Sequence, residues 1–193
     1  MKRASIRLQQ GLWQKMHEAV LAHGRDESVA FVTATYLETD EKLVFIPQTM
    51  VPAKESDYLR QGPLHLQVSP LYVSRVLNVA EDQSNTAIMV HSHPFDEGVP
   101  HYSPTDDYGE AQTSETISKC LNGNPPVGSF LFGQRHATAR AWRSKKPIGA
   151  ATSIIGTESF TLIRSGGNRS KKVSLETVDR QVRAPGRFVP ICS

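Results

Sequence analysis

Apolar residues recur along this chain in two rhythms, and the switches between them mark the elements. Leu12, Trp13, Met16, Val20 and Leu21 follow helical spacing, which predicts a helix over residues 9–23 that stops at Gly24. Two strand-like runs follow, 28–36 and 42–46, parted by the polar stretch Glu38-Thr39-Asp40-Glu41, and together they read as a hairpin. Residues 47–62 are loop-rich, with Pro47, Pro52 and Gly62, and lead to a short strand over 64–68. Ser69-Pro70 then supplies a capping side chain and a proline suited to the first helical position. The helix it opens carries Leu71, Val73, Val76, Leu77 and Val79.

Residues 86–90 are apolar and largely β-branched, so they predict a buried strand that ends at His91. Ser103-Pro104 repeats the capping pattern and opens a helix over about 105–121, ended by Asn122-Gly123-Asn124-Pro125-Pro126. Strands over 127–132 and 138–142 follow, with a third near 159–163. Helices interleaved with a mixed β-sheet predict an α/β (α+β) layered domain. That domain is expected to span residues 1–164. Residues 165–193 are expected to form a basic linker or tail, opened by Ser165-Gly166-Gly167-Asn168.

Composition narrows the class. Of 193 residues, 38% are hydrophobic and 21% charged, a globular balance. No apolar run is long enough to span a bilayer, and MKRASIRLQQ lacks an apolar signal core, so no membrane partner is expected. Cys120 and Cys192 are too few for a disulfide framework, and the simplest setting is a reduced, cytoplasmic one. The net charge of +3 is unevenly placed: residues 161–193 hold seven Lys/Arg against two acids. The body is therefore slightly acidic, and nucleic-acid binding is not the reading that charge favours.

Candidate chemistry concentrates in His91-Ser92-His93-Pro94 and Ser103-Pro104-Thr105-Asp106. Residues two apart on a strand point to one face, so His91 and His93 present two imidazoles side by side. Zinc favours nitrogen and oxygen ligands, and a catalytic site supplies three while leaving a fourth position open. Asp106, in the first turn of the helix that Ser103 caps, is the candidate third ligand, with His101 a weaker competitor. Hydrolysis also needs a base, and the chain offers Glu27 just before the first strand. Taken alone, Glu27 reads as a solvent-facing acid at a strand end, and Ser103-x-x-Asp106 as a capping box. A cysteine peptidase is disfavoured, because Cys120 ends a helix and Cys192 lies near the chain end.

Glu27, His91-Ser92-His93-Pro94 and Ser103-x-x-Asp106, taken together, resemble the signature of the JAB/MPN metallopeptidases of the JAMM type, which include deubiquitinases and prokaryotic relatives. The likeness runs over about residues 5–145. It implies a cytidine-deaminase-like layered fold and Zn2+ held by His91, His93 and Asp106. It further implies Glu27 as general base and Ser103 as a stabiliser of the oxyanion. Nine residues separate His93 from Ser103, where the family usually has seven. A second likeness lies in Thr177-Val178-Asp179-Arg180-Gln181-Val182-Arg183-Ala184, which resembles the segment preceding the nucleotide-binding domain of ThiF-like ubiquitin-activating enzymes. Together these imply a ubiquitin-like protein as substrate and an activating enzyme as a partner. The same site would serve a peptidase that processes a small sulfur-carrier protein. A metal-free scaffold of this family would lack the His-x-His, serine and aspartate set that is present here.

Overall fold

In the computed structural model, residues 3–83, 85–156, 161–164 and 173–176 are described. The chain opens with strand β1 (Arg3–Gln9), where Ala4, Ile6 and Leu8 are buried and alternate with polar neighbours. Helix α1 (Gln10–Leu21) follows without a break, and buries Met16 and Val20. The hairpin is β2 (Val29–Glu38) and β3 (Lys42–Pro52), longer than its apolar core predicts because both strands continue past it. A short 3-10 turn (Glu55–Asp57) leads to a small separate hairpin, β4 (Tyr58–Gly62) with β5 (His65–Val68). Next come α2 (Pro70–Gln83), β6 (Thr86–Ser92) and α3 (Pro104–Cys120). Strands β7 (Val127–Phe132), β8 (Ala137–Arg143) and β9 (Lys146–Gly156) complete the body. A further pair, β10 (Thr161–Arg164) and β11 (Val173–Glu176), is antiparallel.

The sheet runs β1-β3-β2-β6-β7-β8-β9 and closes on itself, because β9 pairs in parallel with β1. This corrects the expected α/β layered architecture of the JAB/MPN, cytidine-deaminase-like kind. Among the described residues strands dominate, and the main sheet is a closed seven-stranded mixed barrel accompanied by three α-helices. The physical reason lies in β1 and β9, two strands that the predicted element list lacks. Each end strand of the would-be open sheet finds its partner in the other, so the unpaired edges disappear.

Alternation along the strands divides the core into two clusters. On β6, Ile88 and Val90 join α1, β1 and the Phe130–Phe132 face of β7. Ala87 and Met89 point the other way and join Tyr72, Val76 and Ala80 of α2 with Ile117 of α3. Both faces of β6 are thus covered, which is why its sequence reads as a continuous apolar run. His91 continues the Ala87–Met89 set toward α3, and Ser92 continues the Ile88–Val90 set toward α1. In keeping with this, Ser92 Oγ donates to the carbonyl of Val20 in α1 at 2.6 Å.

Residues 177–184, which carry the activating-enzyme likeness, and Cys192 lie outside the described residues, as does 165–172 of the expected linker. Among the described residues no helix is long and apolar enough to cross a membrane.

Candidate metal centre

Three separate segments meet at the end of β6. His91 is the penultimate residue of that strand, opposite Val29 of β2 and Leu131 of β7. His93 lies just beyond it, yet its N–H still reaches the Phe132 carbonyl at 2.8 Å, so it stays fixed to the sheet. Asp106 enters from α3. Ligand atoms of His91, His93 and Asp106 all lie within 4.8 Å of one another. The Nε2 atoms of His91 and His93 stand 3.4 and 3.3 Å from the two Asp106 oxygens. Both histidines are buried, at 6% and 5% exposure.

The capping box aims Asp106. Ser103 Oγ accepts from the Asp106 N–H at 3.1 Å, and the Ser103 N–H donates to Asp106 Oδ2 at 2.6 Å. The same carboxylate therefore closes the cap with Oδ2 while Oδ1 faces His91. Capping uses a lone pair of the Ser103 oxygen and leaves its O–H free to donate elsewhere. Pro104 at the helix start completes a local sequence that would place Asp106 here in any fold that brings α3 to β6.

Glu27 is buried, at 7% exposure, which corrects the solvent-facing reading of this residue on its own. The β4–β5 hairpin covers it: the Glu27 N–H donates to Gly62 O at 3.1 Å, and Gln61 Nε2 donates to Glu27 O at 3.1 Å. Its neighbour Ser28 exchanges bonds with Ser92, through Ser28 N–H to Ser92 Oγ and Ser92 N–H to Ser28 O, both at 3.1 Å. Held on both sides, Glu27 places Oε1 3.6 Å from His93 Nε2. His101 is exposed and is not part of the cluster, and Cys120 is exposed at the far end of α3.

Electrostatics separate the two carboxylates. Burial pushes Glu27 above the ordinary glutamate range, against the pull of His93 and His91. Burial would also raise Asp106, but His91 and His93 outweigh it and hold that carboxyl far below its usual value. Burial alone would lower His93, yet Asp106, Glu27 and Asp96 outweigh it and raise the imidazole. One carboxylate is thus pushed toward taking a proton while the other beside it stays ionised.

A cation fits these residues on one direct observation. His91 Nε2 is fully buried and has no hydrogen-bond partner among the described residues. Leaving such an atom unsatisfied costs about 1–3 kcal/mol. A positive ion between two imidazoles and one carboxylate would satisfy it and would offset the excess of buried negative charge. The donor set is one that zinc accepts, although nitrogen and oxygen ligands also suit other divalent transition metals.

Two further groups that the motif does not name support the histidines from behind. Asp96 Oδ2 is 3.4 Å from His93 Nδ1, and Glu110 Oε1 is 3.5 Å from His91 Nδ1. Phe95 stacks on the His93 ring with centroids 5.3 Å apart. Glu110 was open to detection, since it lies one turn beyond Asp106 and so on the same helix face. Asp96 sits in the loop after Pro94, where no periodicity points to it.

No protein-family model and no curated protein matches this chain. The fold is similar to the solution structure of a Desulfitobacterium hafniense protein determined by the Northeast Structural Genomics Consortium. The TM-score is 0.51 at 13% identity, over 80% of this chain and 94% of that one. At that identity the likeness concerns the fold alone.

Proposed function

We propose that this chain is a zinc-dependent peptidase that cleaves at the C-terminus of a ubiquitin-like protein. The observation that carries this reading is the convergence of His91, His93 and Asp106 on one buried point, with Glu27 alongside. Two histidines and one carboxylate would hold the ion and leave it an open position. When bound, zinc supplies Lewis-acid chemistry, lowering the pKa of water and polarising a carbonyl oxygen.

The chain's own groups supply the remainder. Glu27, raised by burial, accepts a proton from the attacking water and passes it to the leaving amine nitrogen. Ser103 donates its free O–H to the carbonyl oxygen as negative charge develops there. The site and not the fold supports this activity, since the closed barrel departs from the layered sheet that the JAMM-type likeness implied. The substrate class rests on the motif formed by Glu27, His91-Ser92-His93-Pro94 and Ser103-x-x-Asp106.

The test is cleavage by zinc-loaded protein of a ubiquitin-like protein bearing a C-terminal peptide extension, read by intact mass. A sulfur-carrier protein with the same extension runs beside it. Release of the extension from the ubiquitin-like protein supports the proposal, and release from the sulfur carrier alone reassigns the substrate. Zinc-loaded protein that cleaves neither is a scaffold.

A further inference from the structure

Helix α3 reaches both ring nitrogens of His91. Asp106 and Glu110 are one turn apart on it, and they flank the imidazole on opposite sides. Asp106 Oδ1 lies 3.4 Å from Nε2 and Glu110 Oε1 lies 3.5 Å from Nδ1. Glu110 is itself 6% exposed and enclosed by donors. Ser129 Oγ donates to Oε1 at 2.5 Å, while Arg140 Nε and Trp142 Nε1 both donate to Oε2 at 2.8 Å. The Arg140 guanidinium in turn lies over the Tyr102 ring, 3.5 Å from its centroid, and Tyr102 packs against His91.

The donor inventory decides what Glu110 can do. Arginine and indole N–H groups only donate, so Oε2 must act as an acceptor. Ser129 donates to Oε1, so that oxygen is an acceptor as well, and the carboxylate has no proton to offer His91. The only hydrogen bond available between Glu110 and His91 is one in which Nδ1–H donates. In the neutral ring that leaves the Nε2 lone pair bare, and Nε2 is the buried atom without a partner.

We propose that Glu110 is a positioning residue: it holds His91 in the Nδ1–H tautomer, with Nε2 presented as a metal ligand. This rests on the reading of His91, His93 and Asp106 as a metal centre. Ser129, Arg140 and Trp142 fix Glu110, so orientation passes from β7 and β8 through α3 to the end of β6. A carboxylate behind a ligating histidine orients the ring and strengthens it as a donor. Asp96 is the counterpart behind His93, but it is half-exposed on a loop and lacks this set of fixed donors.

The experiment has two readouts. Long-range proton–nitrogen NMR of metal-free protein, with His91 assigned by its substitution, reports the tautomer of that ring. Titration with zinc against a chromogenic chelator reports affinity. Wild-type protein should show His91 as the Nδ1–H form, and Glu110→Gln should lose that preference and bind zinc about 10–100-fold more weakly. A folded Glu110→Gln with wild-type affinity overturns the proposal. So does an Nε2–H tautomer in the wild type, a result that does not depend on any variant folding. Wild-type protein that shows the Nδ1–H tautomer but takes up no zinc instead removes the metal centre on which this rests.

Discussion

Glu27 Oε1 lies 3.6 Å from His93 Nε2, and that approach joins the segment before β2 to the end of β6. Neither residue is near the other in sequence. The β4–β5 hairpin fixes one through Gly62 and Gln61, and the β7 ladder fixes the other through Phe132. Glu27 is therefore set by backbone contacts and does not depend on its own carboxylate for position. Glu27→Gln should keep its fold and its zinc while losing turnover by about 10²–10⁴-fold, because an amide cannot carry the proton. Peptide hydrolysis and zinc content measured on the same preparation check this, and near-normal turnover removes Glu27 from the mechanism.

Ser103 caps α3, and the proposed mechanism gives it a second, separable duty. As the cap of α3 its oxygen accepts from the Asp106 N–H, a role worth about 1 kcal/mol that aspartate can also fill. As an oxyanion donor it needs the O–H, which an ionised aspartate lacks. Ser103→Ala should lose stability and turnover together, whereas Ser103→Asp should regain stability only. Removing an oxyanion donor costs roughly 10²–10³ in rate. Thermal midpoints and turnover for both variants decide the matter: turnover that tracks the midpoint leaves Ser103 as a cap alone.

Gly133 is required by close approach. A Cβ there would stand 2.8 Å from the Asp96 carbonyl oxygen, a backbone atom that can yield only by moving its loop. Asp96 also accepts from the Gln134 N–H at 3.0 Å, so the loop and the strand end are pinned together. Gly133→Ala should push Asp96 away from His93 Nδ1 and weaken zinc binding, with Gly11→Ala, which meets open space, as the control. Equal affinities in the two variants would show that the loop tolerates the displacement.

Asp57 anchors the turn that leads into β4. Its carboxylate takes Arg75 at 2.6 and 3.2 Å and the Lys54 N–H at 2.7 Å. The Arg75 hydrogen bond outweighs burial and holds the Asp57 carboxyl below its ordinary value. A lowered folded-state pKa gives stability that is present above the unfolded value and is lost as pH falls through the folded one. Asp57→Asn should therefore melt below wild type at neutral pH, and the gap should close as pH drops below roughly 4. Thermal midpoints across that range are the measurement, and a gap that widens on acidification contradicts the assignment.

The candidate ligands were legible because their signals are local. His91 and His93 end a buried strand with period-two spacing, and Ser103-Pro104 fixes a helix start that carries Asp106. Closure of the barrel was not legible, because it depends on β1 pairing with β9 from opposite ends of the described body. β1 does alternate, but it runs into α1 without an intervening residue, and Gly11 falls inside the helix rather than at the boundary. Pro147, Gly149 and Ala150-Ala151 interrupt the first half of β9 and weaken its strand signal. Burial of Glu27 was hidden for a similar reason: the hairpin over it comes from residues 58–68, and β4 has no clear apolar pattern. Glu110 could have been found by following the α3 face from Asp106 through Ser114 to Ile117, each about one turn from the next.

Every step proposed for this site depends on His91, His93 and Asp106 holding one metal ion. The most direct test is zinc titration of metal-free protein followed by calorimetry, for the wild type and for His91→Ala, His93→Ala and Asp106→Ala. The wild type should bind about one ion per chain. Each variant should lose tight binding while keeping its circular dichroism spectrum. Full, tight, stoichiometric zinc binding in folded His91→Ala and His93→Ala would contradict this ligand set.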